Sequence, residues 1–466
     1  MTEIEKSREF EPTHIYCRPE MVFVVLALVF GMTIACVTAP FQAPDEAAHF
    51  WRAYHVSQGN LMTSREGHNV GGQIPRKVTH IHDSYNYLMG FPDVRVDMDL
   101  WTEDWNKPFN AQDKIFFDFF MPALYAPIVY VPQAIGIAAA RACGASALQM
   151  MYAGRLSALL CWIIMVAAAI RIVPLFKWVF VLVALLPRNI SLAASLSADG
   201  PTNAIVLLLT ALILHAVFST SSLGKGQLFG ICLLCVLLSL AKQVYLPLAG
   251  LVLLIPSVQF GGGKRKGLFC GGVLAASVLA TGLWSLLVRD FYTPTNGANA
   301  PEQLSFLIKQ PWVFFVIAFK TFLESWVGLF VSFIGVLGFL DVWLPNWIYF
   351  TYPFALLAAA LFDPDCKIKF GLLPRFWILL ICIVIFLLIE LSMYLVWTQV
   401  GASIVCGVHG RYFLPLGVPF LLALFYNCRL KLKRQVLWSA VFGLYLLLVL
   451  AAACWTVWFR FYGPAV

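Results

Sequence analysis

Charge is what this chain has least of. Only 12% of its 466 residues are Asp, Glu, Lys or Arg, against about 25% in a soluble domain. With 61% hydrophobic residues, that excludes an ordinary soluble fold, and equally a disordered chain, which needs the opposite balance. Low-complexity tracts and fixed-period repeats are also missing, so collagen and coiled coil are excluded. Lys and Arg outnumber Asp and Glu by 32 to 24. The basic residues come in short clusters rather than one block, so no nucleic acid is expected as a partner. What remains is a multi-spanning membrane protein with the lipid bilayer as its solvent.

Hydropathy and loop charge predict about eleven transmembrane helices. The first is 21–40, after a cytoplasmic tail 1–20 carrying Lys6, Arg8 and Arg18. The long polar lead and the lack of a small-residue cleavage site argue for a retained helix rather than a signal peptide. The others are expected at 150–170, 178–196, 201–220, 227–242, 245–260, 267–288, 345–362, 376–398, 411–427 and 436–457. Every second loop between them is basic, for example Lys264, Arg265 and Lys266. The positive-inside rule then sets the N-terminus in the cytoplasm and the C-terminus outside. Two apolar stretches break this charge pattern if they cross: 121–140, interrupted by Pro122, Pro127 and Pro132, and 311–340, which carries Lys320 and Glu324. Both are expected as exterior helices at the interface. The expected organisation is an exterior loop over 41–149 with juxtamembrane helices, helices two to seven over 150–288, an exterior loop with an amphipathic helix over 289–344, and the last four helices over 345–466.

The charge is unevenly thinned. Residues 41–120 hold eleven of the 24 acidic residues. Within them, P-D-E-A-A-H-F-W-R-A-Y, Pro44 to Tyr54, follows the first span directly. Pro44 and the acids after it look like a helix start. On a helix, Asp45, His49 and Arg52 recur at i, i+4 and i+7, which sets an acid, an imidazole and a guanidinium on one face. Glu46 points about 100° away. The plain alternative is that both acids balance the helix dipole.

A second segment, G-V-H-G-R-Y-F-L-P-L, Gly407 to Leu416, enters the tenth span. A cation at a helix N-terminus is electrostatically misplaced unless an anion sits with it. Arg411, flanked by His409, Gly410 and Tyr412, therefore suits a phosphate, or snorkels to lipid headgroups. Lys242 and Tyr245 at the tip of L-A-K-Q-V-Y-L-P-L offer a second phosphate contact. Asp199 in S-A-D-G-P-T-N is a helix cap or a contact to substrate or metal. Arg155 and Arg188 are weaker members of the same set. Glu390 lies inside an apolar span, and such a carboxylate is a functional candidate by default. Cys143 and Cys406 are both expected outside, where they could pair. His80 and His82 in T-H-I-H-D are solvated loop residues or metal ligands. No cofactor is expected, and a divalent metal stays open.

These segments, together with I-G-V-L-G-F-L-D-V-W-L-P further along, resemble a bacterial family of multi-spanning proteins catalogued as a predicted membrane domain of unknown function. The resemblance runs from about residue 20 to 455. That family in turn resembles the GT-C glycosyltransferases, which pass a sugar from a polyprenyl-phosphate donor to an acceptor outside the membrane. Their hallmark is an acidic residue, often paired, in the first exterior loop just after the first span, the position of Asp45 and Glu46. The resemblance implies an all-α polytopic bundle in the bacterial inner membrane, with the active site facing the periplasm. It implies a lipid-linked sugar donor such as an undecaprenyl-phosphate sugar, a cell-envelope glycan acceptor such as O-antigen, and neighbours that make and flip the donor. Asp45 is then the general base, with Glu46 orienting the acceptor or standing in as base. Arg411 and Lys242, with His49 or Arg52, hold the phosphate, and Asp199, Tyr245, His409 and Tyr412 complete the binding set. The rivals are a transporter or flippase of lipid-linked sugars, which Glu390 would suit, and a polymerase of lipid-linked oligosaccharides.

Overall fold

A computed structural model describes residues 18–361, 371–425 and 435–464. The expected basic loops at Lys367 and Lys369 and at Arg429, Lys431, Lys433 and Arg434 lie outside the described residues. The fold is an all-α polytopic bundle, with seven helices among the described residues long and apolar enough to cross a membrane.

The chain opens with α1 (Pro19–Val37), which has Pro at its first position, where the missing N–H costs nothing. After a short turn comes α2 (Glu46–Ser57). The polar loop beyond it carries an antiparallel sheet of β1 (Ser64–Glu66), β2 (Asn69–Pro75) and β3 (Lys114–Asp118), in that order. Gly72 of β2 lies against the His55 ring of α2, which a Cβ there would have to displace. The Pro-rich stretch is not one helix. It makes short turns at Phe120–Ala123 and Pro127–Tyr130 before α3 (Val131–Ala142). Ser157 of the next helix donates to the Pro132 carbonyl at 2.6 Å, and Gly136 lies close against that helix at Ala153.

That next helix is α4 (Ala147–Ile172), opened by a reciprocal cap between Ser146 and Gln149. It runs antiparallel to α1: Arg155 reaches the end of α1, while Trp162 meets Phe23 near its start, ring centroids 5.4 Å apart. The expected third span is broken into α5 (Lys177–Ala184) and α6 (Pro187–Ala193). Pro187 has no amide to continue the helix, and Asn189 Nδ2 donates across the break to the Val183 carbonyl at 3.0 Å. α7 (Asp199–Phe218) and α8 (Lys225–Ala241) follow.

Residues 245–260, expected as an α-helical span, are wound as 3-10 helix over Gln243–Leu254 and again over Ser257–Phe260. Pro247 sits inside the first run. At about 2.0 Å rise per residue, a 3-10 run reaches further than an α-helix of the same length. α9 (Gly263–Val288) returns on the outside of the bundle, with few buried residues.

α10 (Ala300–Lys309) and α11 (Pro311–Gly335) come next. α11 has the length and apolarity of a crossing, yet the segments at both of its ends contact elements on the side of the bundle that carries Asp45. Before it, Gln303 accepts from the Gly401 amide, and Phe314 meets Tyr394 near the end of α13 (Leu372–Val396). After it, past β4 (Val336–Leu337) and β5 (Val342–Trp343), Asp341 bonds Arg460 at 2.8 Å near the end of α15 (Gln435–Tyr462). Arg460 also donates to the Leu88 and Phe91 carbonyls of the polar loop. The helix thus leaves by the face it entered. Between these elements lie α12 (Asn346–Leu361) and α14 (Gly417–Phe425), the latter entered through a 3-10 turn, Gly410–Leu416.

Candidate active site

The site is assembled where α1 ends. The last carbonyls of a helix have no partners of their own. Here Arg155 of α4 supplies them, donating to the Ala35, Thr38 and Ala39 carbonyls at 2.9, 2.7 and 3.1 Å. The same guanidinium grips Glu46 on both oxygens, Nε to Oε1 at 2.8 Å and Nη2 to Oε2 at 2.5 Å. Both side chains are fully buried, and Glu46 also accepts from the Leu196 amide. One buried ion pair therefore joins the end of α1, the start of α2, the body of α4 and the turn before α7.

That junction sets Asp45. It occupies the left-handed region, φ 61°, which a non-glycine residue rarely adopts without a structural reason. Its Oδ2 accepts from Arg411 Nη2 at 2.9 Å. Arg411 can come this close because Gly410 has no Cβ. A Cβ there would strike the Leu329 carbonyl and the Phe333 amide of α11. Arg411 Nη2 also donates to the Tyr412 hydroxyl at 3.2 Å, and its Nε lies 3.8 Å from Asp199 Oδ2. Asp199, first residue of α7, is paired with Lys242 at the tip between α8 and the 3-10 run. The Lys242 ammonium also stands over the Tyr125 and Tyr412 rings, 5.7 and 5.2 Å from their centroids. Tyr245 donates to the Tyr412 carbonyl at 2.8 Å and fixes that turn.

His49, one turn into α2, shares a 2.8 Å hydrogen bond between Nδ1 and the Tyr130 hydroxyl and stacks on Tyr125. Burial pushes its pKa down to about 4, against the pull of Asp45 and Asp199. It is therefore neutral near pH 7. Burial pushes the Asp45 carboxyl up, but Arg411 and His49 outweigh it, and its pKa lies below the ordinary value. His409 is pushed down to about 4 by burial, with Arg411 and Arg188 acting in the same direction.

Asp45, His49, Asp199, Lys242, Tyr245, His409, Arg411 and Tyr412 all line one cavity of about 540 Å3. Asp45, Asp199, Lys242 and Arg411 form one connected charge cluster, and Arg289 is a further cation on the lining, next to Val288. The remaining wall is largely apolar, with Met121 and Leu124 from the Pro-rich stretch, Trp284 and Val288 from α9, and Ile389 and Met393 from α13. A headgroup with an anionic phosphate and an apolar tail matches that division.

Two expected site residues are elsewhere. Glu46 does not line the cavity, because Arg155 holds it on the buried side of α2. In this arrangement it bonds Arg155 and the Leu196 amide and does not face the space where an acceptor would sit. Arg52 does not reach the cavity either. Its Nη2 donates to the Leu61 carbonyl at 2.7 Å and its Nη1 bonds His55 at 3.2 Å. It staples the end of α2 to the loop beyond, so the expected three-residue face contributes only Asp45 and His49. Glu390 is buried without a partner for either oxygen among the described residues, and it too is absent from the cavity wall. Cys143 and Cys406 are both free and exposed, so they do not pair. His80 bonds Asp83 at 3.0 Å in a solvated turn. Among the described residues no group of three or more His, Cys, Asp or Glu side chains converges.

Tyr125 and Tyr130 carry much of the site and do not stand out in the sequence. The available signal is their place, since a tyrosine in a Pro-broken apolar stretch brings a hydroxyl that needs a partner once buried.

A family model described as a predicted membrane protein, DUF2142, matches residues 28–421. No curated protein and no solved structure matches the chain.

Proposed function

We propose that this chain, which belongs to the family of predicted membrane proteins DUF2142, is a GT-C-like glycosyltransferase that moves a sugar from a polyprenyl-phosphate donor to an extracytoplasmic glycan. The observation that carries the reading is the divided cavity. Two carboxylates, two cations and two neutral imidazoles are gathered around Asp45 and Asp199, and a mostly apolar wall large enough for the start of a lipid chain forms much of the rest. The site is at the bilayer surface of a bacterial inner membrane, facing the periplasm.

In this reaction an acceptor hydroxyl oxygen attacks the anomeric carbon. The bond from that carbon to the phosphate oxygen breaks, its electron pair leaves with the polyprenyl phosphate, and the sugar inverts. Asp45 takes the hydroxyl proton as general base, a contribution of about 10²–10⁴ in rate. Arg411 and Lys242 stabilise the charge that gathers on the leaving phosphate. Neutral His49, held by Tyr130, is a hydrogen-bonding group for a sugar hydroxyl.

A transporter needs a route toward the opposite end of the bundle. The cavity lining comes from the Asp45 end alone, which favours transfer over transport. Purified protein in nanodiscs, given a panel of polyprenyl-phosphate sugars and a cell-envelope glycan, is expected to release polyprenyl phosphate and to label the glycan. Folded protein that releases nothing across the panel overturns the reading.

A further inference from the structure

Arg188 is the least committed charge near the site. It follows Pro187 at the start of α6, is 1% exposed, and makes one hydrogen bond among the described residues, Nη1 to the Val336 carbonyl at 2.8 Å. Its Nε and Nη2 are buried with no hydrogen-bond partner among the described residues, and Nε of Arg411 is buried with no hydrogen bond, Asp199 Oδ2 lying 3.8 Å away. Arg188 lies within electrostatic reach of Arg411, Asp199, Tyr412 and Asp45. Both of those carboxylates are already paired, Asp199 with Lys242 and more distantly with Arg411, and Asp45 with Arg411. Two buried guanidiniums thus sit near one another with three nitrogens that make no hydrogen bond among the described residues.

An unmade hydrogen bond on a buried charged group is among the costlier defects a protein carries. An anion between the two arginines removes the defect at one stroke. A phosphate is the apt class, because its oxygens suit the planar fork of a guanidinium. His409 connects this region to the cavity, since it lines the wall and feels both arginines.

We propose that Arg188 and Arg411 form the seat of a phosphate-class anion, and that its arrival draws Arg411 away from Asp45. The assignment of that phosphate to a sugar donor rests on the transferase reading; the seat itself does not. Arg188 does not line the resting cavity, so the anion reaches it as His409 gives way. With no anion bound, Arg411 keeps Asp45 acidic and a poor base. With the anion bound, Asp45 loses its cation and gains basicity. The donor therefore binds first, and its phosphate readies the base for the acceptor.

The test is direct binding to the intact chain in nanodiscs, with farnesyl phosphate and inorganic phosphate as probes. Arg188→Gln is expected to weaken binding by roughly 10- to 100-fold. Arg188→Lys keeps the charge without the fork and is expected to lose about tenfold; it gives the reading if the Gln variant does not fold. Asp45→Asn is expected to tighten binding by roughly threefold or more, because Arg411 no longer leaves a carboxylate. A base with no hold on Arg411 would leave that affinity unchanged. Binding of both probes with this dependence assigns the seat to phosphate itself, and binding of the farnesyl probe alone assigns it to a phosphorylated lipid; both uphold it. No binding of either probe, affinity indifferent to Arg188, or no gain in Asp45→Asn overturns it. Failure of the sugar-transfer assay with these affinities intact counts against the transferase reading and leaves the seat standing. Turnover whose donor KM ignores Arg188 does the reverse.

Discussion

Arg155 binds both oxygens of Glu46 and three carbonyls at the end of α1, all inside the bundle. Neighbouring acids in one D-E pair therefore have opposite duties. Glu46 holds the junction together, and Asp45, turned the other way by its left-handed backbone, faces the cavity.

The first prediction separates them by stability. Removing one member of a buried ion pair leaves the other uncompensated, at about 3–5 kcal/mol. Glu46→Gln should lower the thermal midpoint in detergent and lose turnover only along with folded protein. A Glu46→Gln variant with an unchanged midpoint and no turnover would make Glu46 a chemical participant instead.

Acid should destabilise the fold before it titrates Asp45. His49, His55 and His409 are each held down to about 4, burial being the first cause in all three. The unfolded chain protonates them near 6.5. Between those values the unfolded state binds protons that the folded state does not, so stability is full above about pH 6.5 and falls as pH drops toward 4. Thermal midpoints measured from pH 7.5 to 4.5 should decline across that window, and less steeply in His49→Asn. A flat profile would mean the three rings are more accessible to protons than their burial indicates.

Gly410 is the steric test of the Arg411 turn. Gly410→Ala sets a methyl group against the backbone of α11 at Leu329 and Phe333, and backbone does not yield cheaply. Overpacking of this kind costs about 1–3 kcal/mol, so the midpoint should fall and Arg411 should lose its register on Asp45. Gly230→Ala, where the nearest neighbour is 3.9 Å from the new methyl, is the control and should be tolerated.

The membrane class and most of the bundle are legible in the sequence, because about twenty apolar residues in a row are what a helical crossing of the bilayer requires. Asp45, Lys242 and Arg411 also lead to the cavity. Each stands beside a span end, where a charge needs a reason. Glu46 and Asp45 are not separable in this way, because spacing gives the angle around a helix but not which face is covered. The 100° between them decides their duties only once α4 is known to lie on one side. The 3-10 winding of Gln243–Leu254 is hidden for a similar reason. Its composition reads as any apolar helix, and its long winding is set by packing rather than propensity.

Cys143 and Cys406 test the arrangement of the two faces. Both are exposed thiols on segments expected outside. A membrane-impermeant maleimide added to intact spheroplasts should label both, in Cys variants that keep one at a time. Labelling of either only after permeabilisation would place its segment on the cytoplasmic side and contradict the topology.

Asp45 as the base is the central claim. The measurement that bears on it most directly is the initial rate of polyprenyl phosphate release by Asp45→Asn against the parent protein, at equal folded protein and saturating donor. The predicted result is a loss of about 10²–10⁴ in rate with an unchanged thermal midpoint. A rate within a few-fold of the parent's would contradict it.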